Sequence, residues 1–283
     1  MWIGLACLLG KADGYHQVQV EKIIPLEHPK SAPTVLKGDS QGNLWTINQK
    51  TGAIERVLAS GYIDIQIPSG SLFKSPVDFD ILEDGSVVVA DKGKKCVVII
   101  RESQPVDPLD AAPKEGADVD VDVSSATWKN PVALASFSVS QPDAVAASHD
   151  RVLGVGNSKE NLIHIFTIDG VLLHNFYPPA DKPFKKIGGM AFGRDGTLWV
   201  TDTKANRIHR FSPSKGWTGS VENVSSPQGI AVDAYGFAYA ASQKGRWVEI
   251  SPDGNLTGTF GTKGKKEGQL HAPYGTAITD DKT

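Results

Sequence analysis

Residues 188–213, GGMAFGRDGTLWVTDTKANRIHRFSP, hold two apolar runs around Asp195-Gly196, then Asp202, a polar turn and a third apolar run. Short runs rich in β-branched and aromatic residues, punctuated by Gly and Asp, are the pattern of antiparallel strands. The same order recurs in 227–254, PQGIAVDAYGFAYAASQKGRWVEISPDG, in 76–100 and in 32–58. It returns more weakly in 141–166, where His149-Asp150 takes the turn, and HAPYGTAITDD (271–281) begins a sixth copy. The copies start at 33, 76, 142, 188, 227 and 273, and the one long interval, 76 to 142, marks an insertion.

A period of about 40–46 residues built of short strands fits a propeller blade of four antiparallel strands, which buries its faces only against neighbouring blades. The alternation and the turn density exclude a helical solenoid. The sixth copy lacks three strands, and LLGKADGYHQVQVEKIIPL (8–26) offers them, because it resembles VVVADKGKKCVVII (87–100). The expectation is therefore an all-β, six-bladed propeller of four-stranded antiparallel blades. Residues 1 to about 30 would supply the outer strands of the closing blade and 273–283 its innermost one, leaving no unpaired edge. The chain reads as a single domain over 1–283, with an acidic, Pro-rich loop inserted at about 101–130.

Composition agrees. Of 283 residues, 40% are hydrophobic and 22% charged, with 29 Gly and 17 Pro, enough for a sizeable core and many turns. No apolar run reaches the roughly 18 residues of a membrane-spanning helix. The net charge of -3 gives no whole-chain attraction to nucleic acid or membrane, so such contacts need local asymmetry. Two cysteines, Cys7 and Cys96, make no disulfide framework or zinc spacing and read as buried thiols. MWIGLACLLG (1–10) has the apolarity of a secretory signal but no preceding Lys or Arg and no A-x-A site, so it reads as a strand. The sequons at Asn223 and Asn255 arise easily by chance and leave the compartment undecided, an extracytoplasmic one included.

PQGIAVDAYGFAYAAS (227–242), GRDGTLWVTDTKANRIHRF (193–211) and ILEDGSVVVADKG (81–93) resemble NHL repeats, and GNLWTINQKTGAIERV (42–57) is similar also to blades of streptogramin-inactivating lyases. The resemblance spans nearly the whole chain. It implies the propeller fold and leaves function open, because such propellers include RNA binders, protein scaffolds, lactonases and lyases. Gluconolactonase-like propellers hold a metal through Glu, Asn and Asp at the channel; Gln228 stands where their Asn is expected, and an early Glu-Gly-Pro motif is missing.

In a four-stranded blade the turns after the first and third strands share one end, and the turn after the second shares the other with the connection to the next blade. Sorting charges this way places a base on the same rim in every blade: Lys50; Lys92, Lys94 and Lys95; Lys159; Lys204 and Arg207; Lys244 and Arg246, with Lys11 from the N-terminus. The opposite rim carries Asp39, Glu83, Asp84, Asp150, Asp195 and Asp233, with Arg194 as the exception. Asp118, Asp120 and Asp122 in the insertion fail the EF-hand pattern, which Val123 and Lys129 break. Tyr15, Tyr274 and Arg246 are the few groups near the basic rim that could stack on bases. Asp78, Asp80, Asp143, Gln228 and Tyr274 face the channel on this reading.

The function expected is a monomeric, non-enzymatic binding or scaffold propeller that needs no cofactor and captures an anionic ligand, a protein or RNA on the basic rim. The alternative is a metal-dependent lyase or hydrolase. His16, His28 and His271 fall near one part of that rim, and three imidazoles with an open position can hold zinc or another divalent metal. His164, His174 and His209 lie within strands and read as hydrogen-bonded wall residues.

Overall fold

The computed structural model describes residues 4–9, 19–25, 33–58, 61–102, 131–264, 269–270 and 273–278. Among these, β1 (Gly4–Leu9) and β2 (Gln19–Pro25) pair only with each other, so 4–9 is a strand. Five four-stranded antiparallel sheets follow. Blade 1 is β3 (Pro33–Gly38), β4 (Leu44–Asn48), β5 (Ile54–Val57) and β6 (Ile63–Ile67). Blade 2 is β7 (Pro76–Ile81), β8 (Val87–Asp91), β9 (Cys96–Glu102) and β10 (Pro131–Ser138). In blade 3, β11 (Ala144–Ala147) leads to β12 (Val152–Asn157), β13 (Leu162–Thr167) and β14 (Leu172–Phe176). Blade 4 runs through β15 (Ile187–Phe192), β16 (Leu198–Asp202), β17 (Arg207–Ser212) and β18 (Gly216–Glu222). The last is β19 (Pro227–Val232), β20 (Ala238–Ser242), β21 (Arg246–Ile250) and β22 (Leu256–Phe260).

Five blades, and not six, are built of four strands. Residues 273–278 do lie at the inner edge between the last blade and the first: the Gly229 amide donates to the Tyr274 carbonyl at 2.7 Å, and Ala277 packs on Leu36 and Leu44. They form no strand and no ladder with β1 or β2, so the closing blade expected from the two termini is not formed among the described residues.

Each hydrophobic core sits between two blades. Trp45, Ile54 and Ile67 of blade 1 meet Phe79, Val89 and Ile100 of blade 2. Val88 and Ile99 meet Leu153 and Phe166, Ile163 and Phe176 meet Met190 and Phe211, and Trp199 meets Ile230 and Val248. The second strand of each blade is buried on both faces for this reason, and each large apolar side chain so buried contributes about 1.5–3 kcal/mol. The inner strands approach backbone to backbone where the repeat places Gly. A Cβ on Gly229 would stand 2.8 Å from the Tyr274 carbonyl oxygen, and one on Gly275 would stand 2.9 Å from the Leu36 amide. The long interval in the repeat falls between β9 and β10, whose pairing fixes it as the connection of third and fourth strands; the insertion, 103–130, is outside the described residues. Cys96 is buried, which pushes its thiol up; the Cys7 side chain is outside the description.

Candidate functional site

Two blades share a device at the end of the second strand. Asp91 is fully buried and accepts the amides of Lys74 and Ser75, at 2.7 Å each, and of Gly93 at 3.0 Å. Asp202, equally buried, accepts the amides of Lys185 (2.8 Å), Lys186 (2.9 Å) and Ala205 (3.2 Å). One carboxylate thus ties the connection that arrives from the preceding blade to the turn after the second strand. A carboxylate is needed because only it offers enough acceptor positions for three converging donors. Asn48, Asn157 and Ser242 take this position in the other blades and make fewer such bonds. The consequence is that Lys74, Lys185 and Lys186 are held on ordered backbone with exposed side chains.

The strand order puts these lysines at the same end as the expected basic residues. Lys50, Lys94, Lys95, Lys159, Lys204, Lys244 and Arg246 are exposed there, as is Tyr274. Lys94 donates to the Ser71 carbonyl, and Lys92 pairs with Asp143 at 3.1 Å. Arg207 differs from expectation. It is half-buried beside Glu222, its cross-strand neighbour on β18, at 3.6 Å, and its Nε and Nη1 are buried without a hydrogen bond. Lys50, Lys74, Lys95, Lys159, Lys185, Lys186, Lys204 and Lys244 form no ion pair among the described residues.

The opposite end is acidic for a local reason. Asp39 accepts the amides of Gln41 and Asn43 and the indole of Trp45; Asp84 accepts Ser86, Asp195 accepts Thr197, and Asp233 accepts Tyr235 and Phe237. Side-chain capping of the hairpin's own backbone explains these carboxylates, and their hydrogen bonds hold Asp39 and Asp84 below the usual range despite partial burial. At the other end Lys92 and Lys94 have such partners, while the eight lysines named above make no ion pair among the described residues.

The channel carries a second departure from the repeat. Where other inner strands place Gly or Ala, β3 and β7 place Lys37, Asp78 and Asp80. The Lys37 ammonium lies 3.6 Å from Asp80 and donates to the Met190 carbonyl at 3.3 Å, so it spans from blade 1 to blades 2 and 4. Asp78 and Asp80 accept the Val145 and Ala147 amides of β11 at 3.0 and 2.9 Å, stitching blade 2 to blade 3. Burial pushes the Asp78 carboxyl up to about 6, against the pull of Lys37. The space beside them, between Thr34, Gly189, Gly229 and Tyr274, is wide enough for little more than water. Gln228 is buried and donates to the Ser226 carbonyl, while Asp143 stands at the basic end, bonded to Ser158 and Lys92.

His16, His28 and His271 lie outside the described residues. Within the described residues no three His, Cys, Asp or Glu side chains are grouped to share a metal. His164 bonds Asn175 as expected, but His209 is only half satisfied: Trp217 donates to its Nδ1 at 3.3 Å, and its Nε2 is buried without a partner, 4.0 Å from Asp202.

No family model matches the chain, and no curated protein matches it. Solved structures do. A chain of the nidogen/laminin complex superposes with a TM-score of 0.66 at 14% identity over 97% of both chains. Streptogramin B lyase gives 0.60 at 15% identity, covering 89% of this chain and 75% of that one. Virginiamycin B lyase from Staphylococcus aureus gives 0.60 at 17% identity, covering 89% and 76%, and one such structure is a catalytically inactive His-to-Ala variant with quinupristin. Similarity at this identity establishes the β-propeller fold. No helix among the described residues is long and apolar enough to cross a membrane.

Proposed function

We propose that the chain is a binding propeller that captures an acidic partner protein on its lysine-bearing end. The observation that supports this reading is the asymmetry of the two ends: the carboxylates of one are engaged by their own turns, while ammonium groups of the other are exposed and unpaired among the described residues. A surface with a local excess of one sign raises the concentration of oppositely charged partners even when the whole chain is slightly acidic. The nidogen/laminin neighbour, a propeller in a protein complex, favours a protein over a small ligand. Reversing Lys95, Lys204 and Lys244 to Glu is expected to weaken binding of a labelled polyglutamate peptide by at least about tenfold and to flatten its salt dependence. Thermal unfolding should be unchanged. Equal affinity in the triple variant would remove this end from consideration.

A second reading is a metal-assisted lyase or hydrolase using His16, His28 and His271, of which the lyase neighbours favour the lyase part alone. On that reading the purified protein carries about one equivalent of zinc or another divalent metal, and substituting any of the three histidines with Ala lowers it. Metal content that these substitutions do not alter ends the reading.

A further inference from the structure

We infer that the lysine-bearing end is a two-point surface, one point on blade 2 and one on blade 4, fitted to an acidic polypeptide segment that carries two Asp/Glu clusters. This rests on the binding reading above and specifies its partner. The two points are built alike. Phe73-Lys74-Ser75 and Phe184-Lys185-Lys186 are equivalent connections, each with its Phe buried and its two following amides held by a buried aspartate. A further backbone bond closes each: Lys92 to the Ser75 carbonyl, and Thr203 to the Lys186 carbonyl. The neighbouring turns add Lys95 and Lys204, both exposed.

Between the two points stands blade 3, whose Lys159 is followed by Glu160 and whose Asp143 pairs with Lys92, so the field there is partly cancelled. Ordered backbone lowers the entropy lost when a lysine engages a partner, which makes these two loops the preferred contacts over lysines on less anchored turns. A polypeptide suits them better than single-stranded RNA. Base stacking wants an aromatic or Arg plane for each base, whereas these loops offer ammonium point charges. Of the exposed tyrosines, Tyr62 and Tyr235 are in turns of the opposite end, leaving Tyr177 and Tyr274.

The test compares a peptide with one Glu cluster to peptides with two, joined by Gly-Ser linkers of graded length, by fluorescence anisotropy. A linker that spans the points should make the two-cluster peptide bind at least about tenfold tighter than the single one. Lys74→Glu with Lys95→Glu, or Lys185→Glu with Lys204→Glu, should each abolish that advantage, and the matching Lys→Gln pairs should do so in part. Circular dichroism and the melting temperature control for folding. If the two-cluster peptide gains nothing at any linker length, or keeps its gain in either pair variant, the two-point inference fails while single-cluster binding leaves the binding reading intact. If neither peptide binds, the binding reading itself fails. Tighter binding of a single-stranded RNA, lost in the same variants, overturns the polypeptide assignment.

Discussion

Asp202→Ala is expected to lower stability by about 3–5 kcal/mol, which for a chain of this size shifts the melting temperature by on the order of 10 °C. The substitution leaves the amides of Lys185, Lys186 and Ala205 facing a fully buried position with no acceptor. Each orphaned buried donor costs about 1–3 kcal/mol, and water can enter to relieve only some of them. Asp202→Asn should cost less, since its carbonyl oxygen still accepts one or two of the amides while its NH2 group faces the remaining one. Asp91→Ala should cost a similar amount, because it too orphans three amides, two of them in the equivalent connection and the third, Gly93, in the turn that follows. The two sites lie in different blades without shared partners, so the double variant should be additive to within about 0.5 kcal/mol. Chemical denaturation of the four variants measures all of this; an Asp202→Ala protein within about 1 kcal/mol of wild type would mean that the carboxylate does not anchor the connection. The same loss should loosen the Lys185-Lys186 loop and weaken acidic-peptide binding beyond the effect of temperature.

The blade is legible in the sequence because its markers are local. Asp195-Gly196 fixes a tight hairpin, Asp202 ends a strand, and the spacing between copies is set by four strands and their turns, so the repeat, its strand order and the position of the insertion are all readable. The charge sorting followed from topology alone. The closing blade was not readable, because 8–26 has the composition of two strands with a turn but pairing depends on which edge is free in three dimensions, and β1 and β2 satisfy each other. Lys74, Lys185 and Lys186 escaped because they precede the repeat's starting residue. Their sequence signal is the matching Phe-Lys-Ser at 73–75 and Phe-Lys-Lys at 184–186, three and four residues ahead of the starts at 76 and 188. Lys37 is visible only as a violation: it occupies a slot that is Ala191, Ala231 or Ala277 elsewhere. Arg207 is half-buried because Glu222, fifteen residues on, is its cross-strand neighbour, a pairing that the local turn does not announce.

The pH dependence of stability should expose two buried groups that work against each other. His209 is fully buried among Phe184 and Phe211, and burial pushes it down to about 4, the nearby Asp202 notwithstanding. Between about 6.5 and 4 the unfolded chain therefore binds a proton that the folded one refuses, and stability falls as pH drops through that window. Asp78 does the reverse. Its carboxyl is pushed up from 3.8 to about 6, so between about 6 and 3.8 the folded chain holds a proton that the unfolded one releases, and stability rises as pH drops. Each shift corresponds to about 3 kcal/mol, and the windows overlap almost completely, so in the wild type the two nearly cancel. Single substitutions should unmask them. Relative to wild type, His209→Phe, which places a ring beside the Phe184 and Phe211 side chains, should gain about 3 kcal/mol as pH is lowered from 7 to 4. Asp78→Asn, whatever its offset at neutral pH, should lose about the same amount over the same range. Paired carboxylates such as Asp84 and Glu222 contribute an acid-side loss common to every variant, which drops out of the difference. Urea unfolding at four or five pH values gives the slopes. Parallel curves for both variants and the wild type would show that neither group changes its proton affinity on folding; opposite slopes would establish that the channel aspartate offsets an acid sensitivity that the inter-strand histidine imposes.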